Sequence, residues 1–241
     1  MTPEQEVDVD LEGLYRWLEN RLEARGEGKL LGRGYQASVL WFSSPFGEVV
    51  VKKAHAKGVL GLFARRTLRH ESEIYRRLEG APGTVRCFGL LHGRYLVLEH
   101  IDGTSLRSLA SPLADPDRFY ARLLAALDAM HAAGIAHGDL KRKNNILVGP
   151  NEEPYVVDFG IAWQRPHGSP RWRRTLFRLV EQMDYNAWIK HKHGRPPYGP
   201  ALPAEDLARY RPLLLERVAR AIRIPWQTLT LRRLRKRLRK S

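Results

Sequence analysis

HGDLKRKNNILV, residues 137–148, is the most informative run in this sequence. Its polar residues predict a loop, and its last three residues open a short apolar strand. Ten residues after Val148 comes Asp158-Phe159-Gly160, directly behind the apolar residues 155–157. Aspartate and asparagine in a loop, with a second aspartate at a strand end, supply the oxygen ligands that Mg²⁺ prefers, while a nucleotide supplies the rest. The two stretches therefore predict phosphoryl transfer.

Composition sets broad limits on the class of protein. The chain has 241 residues, of which 43% are hydrophobic, enough for a sizeable core in one large domain or two small lobes. Its 41 Lys and Arg residues against 26 Asp and Glu give a net charge of +15. Such a charge favours anionic partners: nucleic acid, acidic lipid or phosphorylated sugar. The single cysteine, Cys87, excludes an intrachain disulfide and indicates a reducing compartment.

The two ends of the sequence predict where the protein works. The acidic start has no apolar core and is not a signal peptide, and no apolar run reaches the length of a transmembrane helix. At the other end, Leu231, Leu234 and Leu238 form a narrow apolar stripe on a predicted basic helix. We expect a cytoplasmic protein whose basic tail is a candidate contact for the inner face of an anionic membrane. A solvated tail or a docked helix is the alternative; a nucleic-acid arm is disfavoured because no aromatic residues are interleaved.

The apolar periodicity changes from strand-like to helical near residue 100. The predicted elements are a leading helix at 10–25, a β-meander at 30–53, a flexible connection at 56–64, a helix at 65–79, strands at 85–91 and 95–99, and helices at 106–109, 117–133, 172–188, 204–210 and 212–224. The shift in composition predicts an α+β fold of two lobes joined by a hinge at Ile101-Asp102-Gly103.

Two glycines and an ion pair in the β-rich part are candidate nucleotide contacts. Gly32 and Gly34 lie in a predicted hairpin, where they let the backbone approach a ligand and expose amide groups; alone, this pattern is more often a simple turn. Lys52 ends an apolar strand, either as a cation held over phosphates or as a frayed edge residue. Glu71 lies on or beside the apolar stripe of its helix, where a carboxylate is costly unless it is paired. Lys52 is its natural partner.

Five motifs stand in the order found in the protein-kinase-like superfamily, and the chain resembles that family over roughly residues 30–160. The counterparts are the Gly-rich loop Gly32-Arg33-Gly34-Tyr35-Gln36-Ala37-Ser38-Val39, the strand Val49-Val50-Val51-Lys52, the helix residue Glu71, the loop His137-Gly138-Asp139 with Asn144, and Asp158-Phe159-Gly160. Each motif alone is weak, but five in register make chance a poor explanation.

The resemblance implies a two-lobed kinase-like fold that binds ATP and Mg²⁺. The implied nucleotide contacts are Gly32, Gly34 and Val39 in the loop, Lys52 held by Glu71, and Glu99 and Ile101 in the hinge that receives adenine. Asp139 would accept or orient the proton of the acceptor hydroxyl, and Lys141 would contact the γ-phosphate. Asn144 and Asp158 would hold magnesium. The five-residue offset from Asp139 favours Asn144, and Asn145 is the alternative after a one-residue shift.

Several family features are missing, and their loss resembles a particular group of kinases. Gly138 replaces the Arg of H-R-D, no A-P-E follows Asp158, and Pro203-Ala204-Glu205 is only superficially similar to it. The chain thus resembles the atypical, compact RIO and lipopolysaccharide-core sugar kinases, and more distantly the aminoglycoside phosphotransferases. We expect one kinase-like domain over 1–241, with an N-lobe at 1–100, a hinge at 101–103, a shortened helical C-lobe at 104–230 and a basic tail at 231–241.

The leading functional hypothesis is Mg²⁺-dependent transfer of the ATP γ-phosphate to an alcohol. Compactness, the net charge and the basic tail favour a sugar hydroxyl of an anionic, lipopolysaccharide-core type glycolipid as the acceptor. An atypical, RIO-like protein serine/threonine kinase is the first alternative, which Lys141 favours. A non-catalytic pseudokinase or binding module is the second. It is disfavoured because Lys52, Asp139, Asn144 and Asp158 are all present. The acceptor and the oligomeric state stay open.

Overall fold

A computed structural model describes residues 10–23, 28–33, 37–54, 58–166, 168–194, 196 and 202–211. Three predicted features lie outside these described residues: Gly34 of the hairpin, the helix at 212–224 and the basic tail at 231–241. Over the described ranges, no helix is both long enough and apolar enough to cross a membrane.

An antiparallel sheet of five strands forms the first lobe. The strands are β1 (Lys29–Arg33), β2 (Ala37–Ser44), β3 (Gly47–Ala54), β4 (Cys87–Leu91) and β5 (Tyr95–Glu99), in the spatial order β1-β2-β3-β5-β4. Strand alternation sends Val49 and Val51 to one face of β3 and Lys52 to the other. The sheet can therefore bury an apolar layer on one side and carry a charged site on the other.

Two helices cover the faces of this sheet. Helix α1 (Leu11–Glu23) packs Leu14 and Leu18 against the face that carries Val51. Helix α2 (Gly58–Arg77) packs its apolar stripe against the opposite face, next to Leu96 and Leu98 of β5. The leading helix, the meander and the two later strands of the prediction are thus confirmed.

The predicted flexible connection at 56–64 is wrong for its described part, because α2 already begins at Gly58. Glycine is less favourable than alanine in a helix by about 1 kcal/mol. Gly58 and Gly61 therefore led to the prediction of a loop. The buried stripe of α2 nevertheless extends back through Gly61, Ala64 and Leu68 at helical spacing. Burial of this face outweighs the local propensity.

The second lobe is mainly helical. Its elements are β6 (Thr104–Ser105), α3 (Pro116–Ala132), β7 (Ile135–Ala136), β8 (Ile146–Val148), β9 (Pro154–Val156), β10 (Trp163–Gln164), α4 (Arg171–His193) and α5 (Ala204–Arg209). Asp115 caps α3 by accepting the Arg118 N–H at 3.0 Å, and Pro116 occupies the first helical position. The core of this lobe joins Phe119 and Leu127 of α3 to Trp188 of α4.

Two small sheets place the loops of the second lobe. Strands β6, β8 and β9 form one sheet, and β7 pairs with β10 in the other. The predicted helix at 106–109 is wrong. The Leu106 N–H bonds the Ile146 carbonyl at 2.8 Å, and the Ser108 N–H closes a turn on Ser105 at 2.8 Å. Pairing with β8 draws this segment away from helical geometry. The α+β, two-lobed fold itself is confirmed.

Candidate active site

A buried aspartate of α4 anchors the loop that precedes β8. Asp184, with its side chain only 1% exposed, accepts the N–H groups of His137 (2.6 Å, at Oδ2) and Gly138 (2.8 Å, at Oδ1). Gly138 has a φ of +76°, and a Cβ atom there would lie 3.2 Å from Cγ1 of Val180. The turn that presents Asp139 therefore requires both a glycine and Asp184.

Asp139 follows this turn and has cations close to its carboxylate. Its Oδ2 lies 3.0 Å from Nε of Arg142, and its Oδ1 lies 4.0 Å from Nζ of Lys141. The Asp139 N–H donates to Nδ1 of His137 at 3.2 Å, and Nε2 of that ring lies 3.0 Å from the Val157 carbonyl. Because Nδ1 accepts, Nε2 carries the proton and donates to the carbonyl. The ring thus ties Asp139 to the strand end beside Asp158.

The two asparagines of the loop occupy different environments. Asn145 is buried. Its side-chain Nδ2 donates to the Asp139 backbone carbonyl at 3.2 Å, and its own backbone carbonyl accepts the Val157 N–H at 3.0 Å. Asn144 is exposed, in the short 3₁₀ turn Lys143–Asn145. The structure therefore brings Asn145, rather than the predicted Asn144, to the aspartates. An offset counted from Asp139 does not tell which of two adjacent asparagines turns inward.

Lys52 contacts one carboxylate from each lobe, Glu71 of α2 and Asp158 of the second lobe. Its Nζ lies 2.5 Å from Oε1 of Glu71 and 3.3 Å from Oδ1 of Asp158. Burial acts to lower the pKa of Lys52, but the charges of Glu71 and Asp158 outweigh it and hold that pKa above its ordinary value. Burial likewise acts to raise the pKa of Asp158, and the Lys52 ammonium reverses the shift and lowers it. Lys52 and Asp158 are therefore both charged at neutral pH.

The backbone around Phe159 connects α2 to the end of this strand. The Phe159 N–H donates to Oε1 of Glu71 at 3.2 Å, and the Asp158 N–H donates to the Tyr75 hydroxyl at 3.4 Å. The buried Phe159 ring packs edge-on against Tyr75, with the ring centroids 5.0 Å apart, and lies 5.1 Å from His137. Asp158 has a φ of +71°, which aims its carboxylate back toward Lys52. These contacts fix Asp158 against α2.

Strand register aligns the predicted nucleotide contacts of the sheet. Gly32 is paired with Val39 across β1 and β2, and Val39 is paired with Lys52 across β2 and β3. Side chains that are directly paired project from the same face of a sheet, so Val39 and Lys52 share one surface. A Cβ atom at Gly32 would meet nothing within 4 Å, which leaves open space next to this surface.

The predicted hinge residues lie at the end of β5. The Glu99 side chain accepts the Arg86 N–H at 3.0 Å, and the Glu99 N–H donates to the Arg86 carbonyl at 2.9 Å, so both the carboxylate and the amide of Glu99 are turned toward residue 86. Ile101 is half-buried against the core, in a segment without helix or strand between β5 and β6. Lys52, Glu71, Asp139, Lys141 and Asp158 are thus brought together in one site, and Val39 adjoins it.

Sequence reasoning missed three residues of this site: Tyr75, Arg142 and Asp184. Asp184 had a usable signal, because it lies four residues after Val180 and four before Trp188, on an otherwise apolar face of α4. A buried carboxylate on such a face requires partners. Tyr75 and Arg142 had no such signal, since one reads as an ordinary core aromatic and the other as a solvated charge.

Comparison with known families agrees with this geometry. The profile of the protein kinase domain matches residues 26–187. The chain belongs to the protein kinase domain family. The resemblance drawn from the five ordered motifs is thereby confirmed.

Curated relatives match over part of their length. The chain is 38% identical over 151 residues to a "Putative cyclin-dependent kinase F-2" of Oryza sativa subsp. japonica, covering 55% of this chain and 45% of the relative. It is 40% identical over 108 residues to "Serine/threonine-protein kinase PknD" of Mycobacterium tuberculosis, covering 42% of this chain and 16% of the relative. The chain therefore spans less than half the length of these two relatives.

Two further similarities are to a subunit of the EKC/KEOPS complex and to a solved kinase structure. The chain is 32% identical over 127 residues to "EKC/KEOPS complex subunit BUD32" of Encephalitozoon cuniculi, covering 48% of this chain and 60% of the relative. A crystal structure of the Rio2 kinase from Chaetomium thermophilum, in complex with ADP/Mg²⁺ and phosphoaspartate, superimposes with a TM-score of 0.56. It covers 80% of this chain and 65% of that chain at 15% identity. This match confirms the fold.

Proposed function

We propose that this protein transfers the γ-phosphoryl group of ATP to an alcohol group in a Mg²⁺-dependent reaction. The observation that carries the proposal is the Lys52 ammonium held between Glu71 and Asp158, beside the loop of Asp139, in a protein kinase domain. Phosphoryl transfer needs mainly positioning and neutralisation of charge. A fixed cation, a half-exposed carboxylate and an anchored loop aspartate fit those tasks.

The residues at the site fit a magnesium ion and phosphate groups. Asp158 would hold the metal through its carboxylate; we favour Asn145 over Asn144 as the second oxygen ligand because its amide is fixed on the Asp139 backbone. Bound Mg²⁺ would supply neutralisation of the phosphate charge. Lys52 would bind the inner phosphates, and Lys141, more than half exposed, would reach the outer one.

The remaining assignments concern the acceptor and the nucleotide. Asp139 would accept a hydrogen bond from the acceptor hydroxyl and orient it, while Asp184 keeps its backbone in place. Gly32 and Val39 would line the nucleotide site, together with backbone groups of Glu99 and Ile101. In this assignment residues 101–103 are the hinge between an N-lobe at 1–100 and a C-lobe at 104–230.

We favour a protein serine or threonine hydroxyl as the acceptor. PknD is named a serine/threonine-protein kinase, and the profile of the protein kinase domain matches residues 26–187 of this chain. The glycolipid sugar predicted from charge and compactness gains no support from these relatives. Its main argument, the basic tail, lies outside the described residues.

Radiolabelled ATP tests the proposal and its acceptor together. The full chain is incubated with γ-labelled ATP, Mg²⁺ and either casein or a lipopolysaccharide core oligosaccharide. We expect label on serine or threonine of casein or of the chain itself, lost in Asp139→Asn and Asp158→Ala and kept in Asp117→Asn, an exposed α3 residue. Label on the oligosaccharide alone would reassign the acceptor. Folded wild-type protein that labels neither acceptor nor itself would refute the activity.

A further inference from the structure

A cavity opens between the end of α2, the end of α3 and the segment that joins β10 to α4. Its volume is about 280 Å³. None of its described lining residues belongs to the candidate active site. They are Arg77, Ala132, Ala133, Gly134, Arg165, Pro166, Gly168, Ser169 and Arg174.

Three guanidinium groups give this cavity its charge, and no described lining residue is acidic. Arg77 donates to Oε1 of Gln164 at 3.2 Å and to the Ala133 carbonyl at 3.0 Å. Arg165 lies over the Phe177 ring, 4.8 Å from its centroid. These partners hold two guanidinium planes in place without neutralising them. Among the ion pairs of the described residues, none involves Arg77, Arg165 or Arg174.

The start of α4 adds to the positive potential at this cavity. Helix α4 is 23 residues long, has no acidic residue in its first turn, and begins behind Pro170, which supplies no side-chain cap. The positive end of its dipole therefore lies beside Ser169 without compensation. Ser169 is nine-tenths buried and lines the cavity. Its hydroxyl donates to the Pro166 carbonyl at 2.6 Å, which leaves its oxygen able to accept a hydrogen bond from a ligand.

We propose that this cavity is a binding site for a phosphomonoester, separate from the site of phosphoryl transfer. Three arginines offer more N–H donors than a single carboxylate can accept, whereas a phosphate group with three terminal oxygens can use several guanidinium forks. The volume of the cavity lies just below the usual range for sites of drug-sized ligands, about 300–1,000 Å³. No described aromatic residue lines it to stack a base. A small phosphorylated group therefore fits best.

The position of the site predicts what binding does to the protein. Arg77 lies six residues after Glu71 on α2, and Arg165 lies seven residues after Asp158, beyond β10. A phosphomonoester that contacts both arginines connects the helix carrying Glu71 to the segment that follows Asp158. Ligand binding should then stabilise this arrangement, since a ligand that binds only the folded state raises its stability.

Calorimetric titration of the full chain tests the proposal without requiring catalysis. The probes are inorganic phosphate, a phosphoserine peptide, glucose 6-phosphate, the unphosphorylated peptide and acetate, all at one ionic strength. We expect the double variant Arg77→Gln/Arg174→Gln to lose phosphate-dependent binding by about tenfold or more. The matched control Arg76→Gln/Arg173→Gln changes adjacent exposed arginines of the same two helices that do not line the cavity. Both doubles lower the net charge of +15 by two, so any general effect of charge is equal.

The outcomes separate the sources of the phosphate from each other. Equal affinity for all three phosphorylated probes means that the site recognises the phosphate group alone. Tighter binding of the phosphopeptide identifies a polypeptide as the source of the phosphate. Either result supports the site if the Arg77→Gln/Arg174→Gln variant loses the binding. Thermal shifts check that both doubles fold. Equal binding by the two folded doubles, or acetate binding as tightly as phosphate, would overturn the proposal. Because binding is measured directly, failure of the kinase activity leaves this test unaffected.

Discussion

Oε1 of Glu71 has two donors at once, Nζ of Lys52 and the N–H of Phe159. This one oxygen therefore forms the ion pair within the first lobe and also the hydrogen bond to Phe159 in the second lobe. The ion pair of Lys52 with Glu71 could be predicted from sequence, because strand alternation turns Lys52 inward and the apolar stripe of α2 turns Glu71 inward. The second link could not, since it depends on a backbone group 88 residues away.

The variant Glu71→Gln distinguishes the effect of the charge of Glu71 from the effect of its shape. Glu71→Gln keeps an acceptor oxygen but removes the charge that raises the pKa of Lys52. We expect kcat/KM for phosphoryl transfer to fall on the order of 10- to 100-fold, and the free energy of unfolding to fall by about 1–3 kcal/mol. Glu73→Gln, an exposed carboxylate on the same helix, is the control and should change neither quantity appreciably. Similar values for the two variants in kinetic and denaturant measurements would contradict the role given to Glu71.

Gly138 shows what a single missing Cβ permits. Its φ of +76° nearly equals the +75° of Gly80, but a Cβ at Gly138 meets Val180 at 3.2 Å whereas one at Gly80 meets nothing within 4 Å. Gly80→Ala should therefore cost only the conformational strain, about 1 kcal/mol. Gly138→Ala should cost more and should also reduce activity, because it displaces the turn before Asp139. Chemical denaturation and an activity assay on both variants measure the difference, and equal effects would show that crowding at Val180 is unimportant.

At the scale of elements, α4 supports the loop and α2 aligns the cation. Both helices were predicted, yet α2 is longer than its prediction because Gly58 and Gly61 lie within it. The register that brings Gly32, Val39 and Lys52 into line was only partly predictable. Alternation gives the face of each strand, whereas the pairing of β1 with β2 includes an irregularity between Leu30 and Gly32 that no sequence rule located.

The function of α4 as a support can be measured through Asp184. Asp184→Asn has one acceptor oxygen where the carboxylate used two, so one of the N–H groups of His137 and Gly138 loses its partner. We expect a loss of about 1–3 kcal/mol in the free energy of unfolding, and faster hydrogen exchange at residues 137–139 than elsewhere in the lobe. Glu181→Gln, one turn earlier on α4 and only 29% exposed, serves as the comparison. Unchanged exchange at residues 137–139 in folded Asp184→Asn would show that α4 does not hold the loop.

At the scale of the molecule, the order of motifs along the sequence predicted the two lobes. The contacts of Arg77 with segments far away in sequence could not be predicted. The Asp139–Lys141–Asp158 part of the site follows from sequence because each residue lies at a fixed offset from an apolar strand. The arginine-lined cavity does not, because Arg77 meets Ala133 and Gln164 across 56 and 87 residues. Nothing in the local pattern of any of the three segments indicates that they meet.

The Lys52–Asp158 contact between the lobes also sets how stability depends on pH. The pKa of Asp158 is lower in the folded than in the unfolded protein. The Asp158 carboxylate therefore makes its full contribution to the free energy of unfolding above the unfolded-state pKa, near about 4. That contribution is lost as the pH falls through the lower, folded-state pKa. The free energy of unfolding of the wild type should therefore exceed that of Asp158→Asn at pH 7, by about 0.5–1 kcal/mol because the side chain is 53% exposed and screened by solvent. The difference should shrink as the pH falls below about 4.

The lowered pKa of Asp206 also contributes to the acid slope, so only the difference between the two proteins isolates Asp158. Urea unfolding at pH 3, 4, 5 and 7 measures that difference. Asp102→Asn, an exposed aspartate at the junction of the lobes, should follow the wild type across the series within about 0.5 kcal/mol. A difference between wild type and Asp158→Asn that stays constant from pH 7 to pH 3 would mean that the carboxylate charge is not what joins the lobes. The contact would then act through packing, and the raised pKa of Lys52 would depend on Glu71 alone.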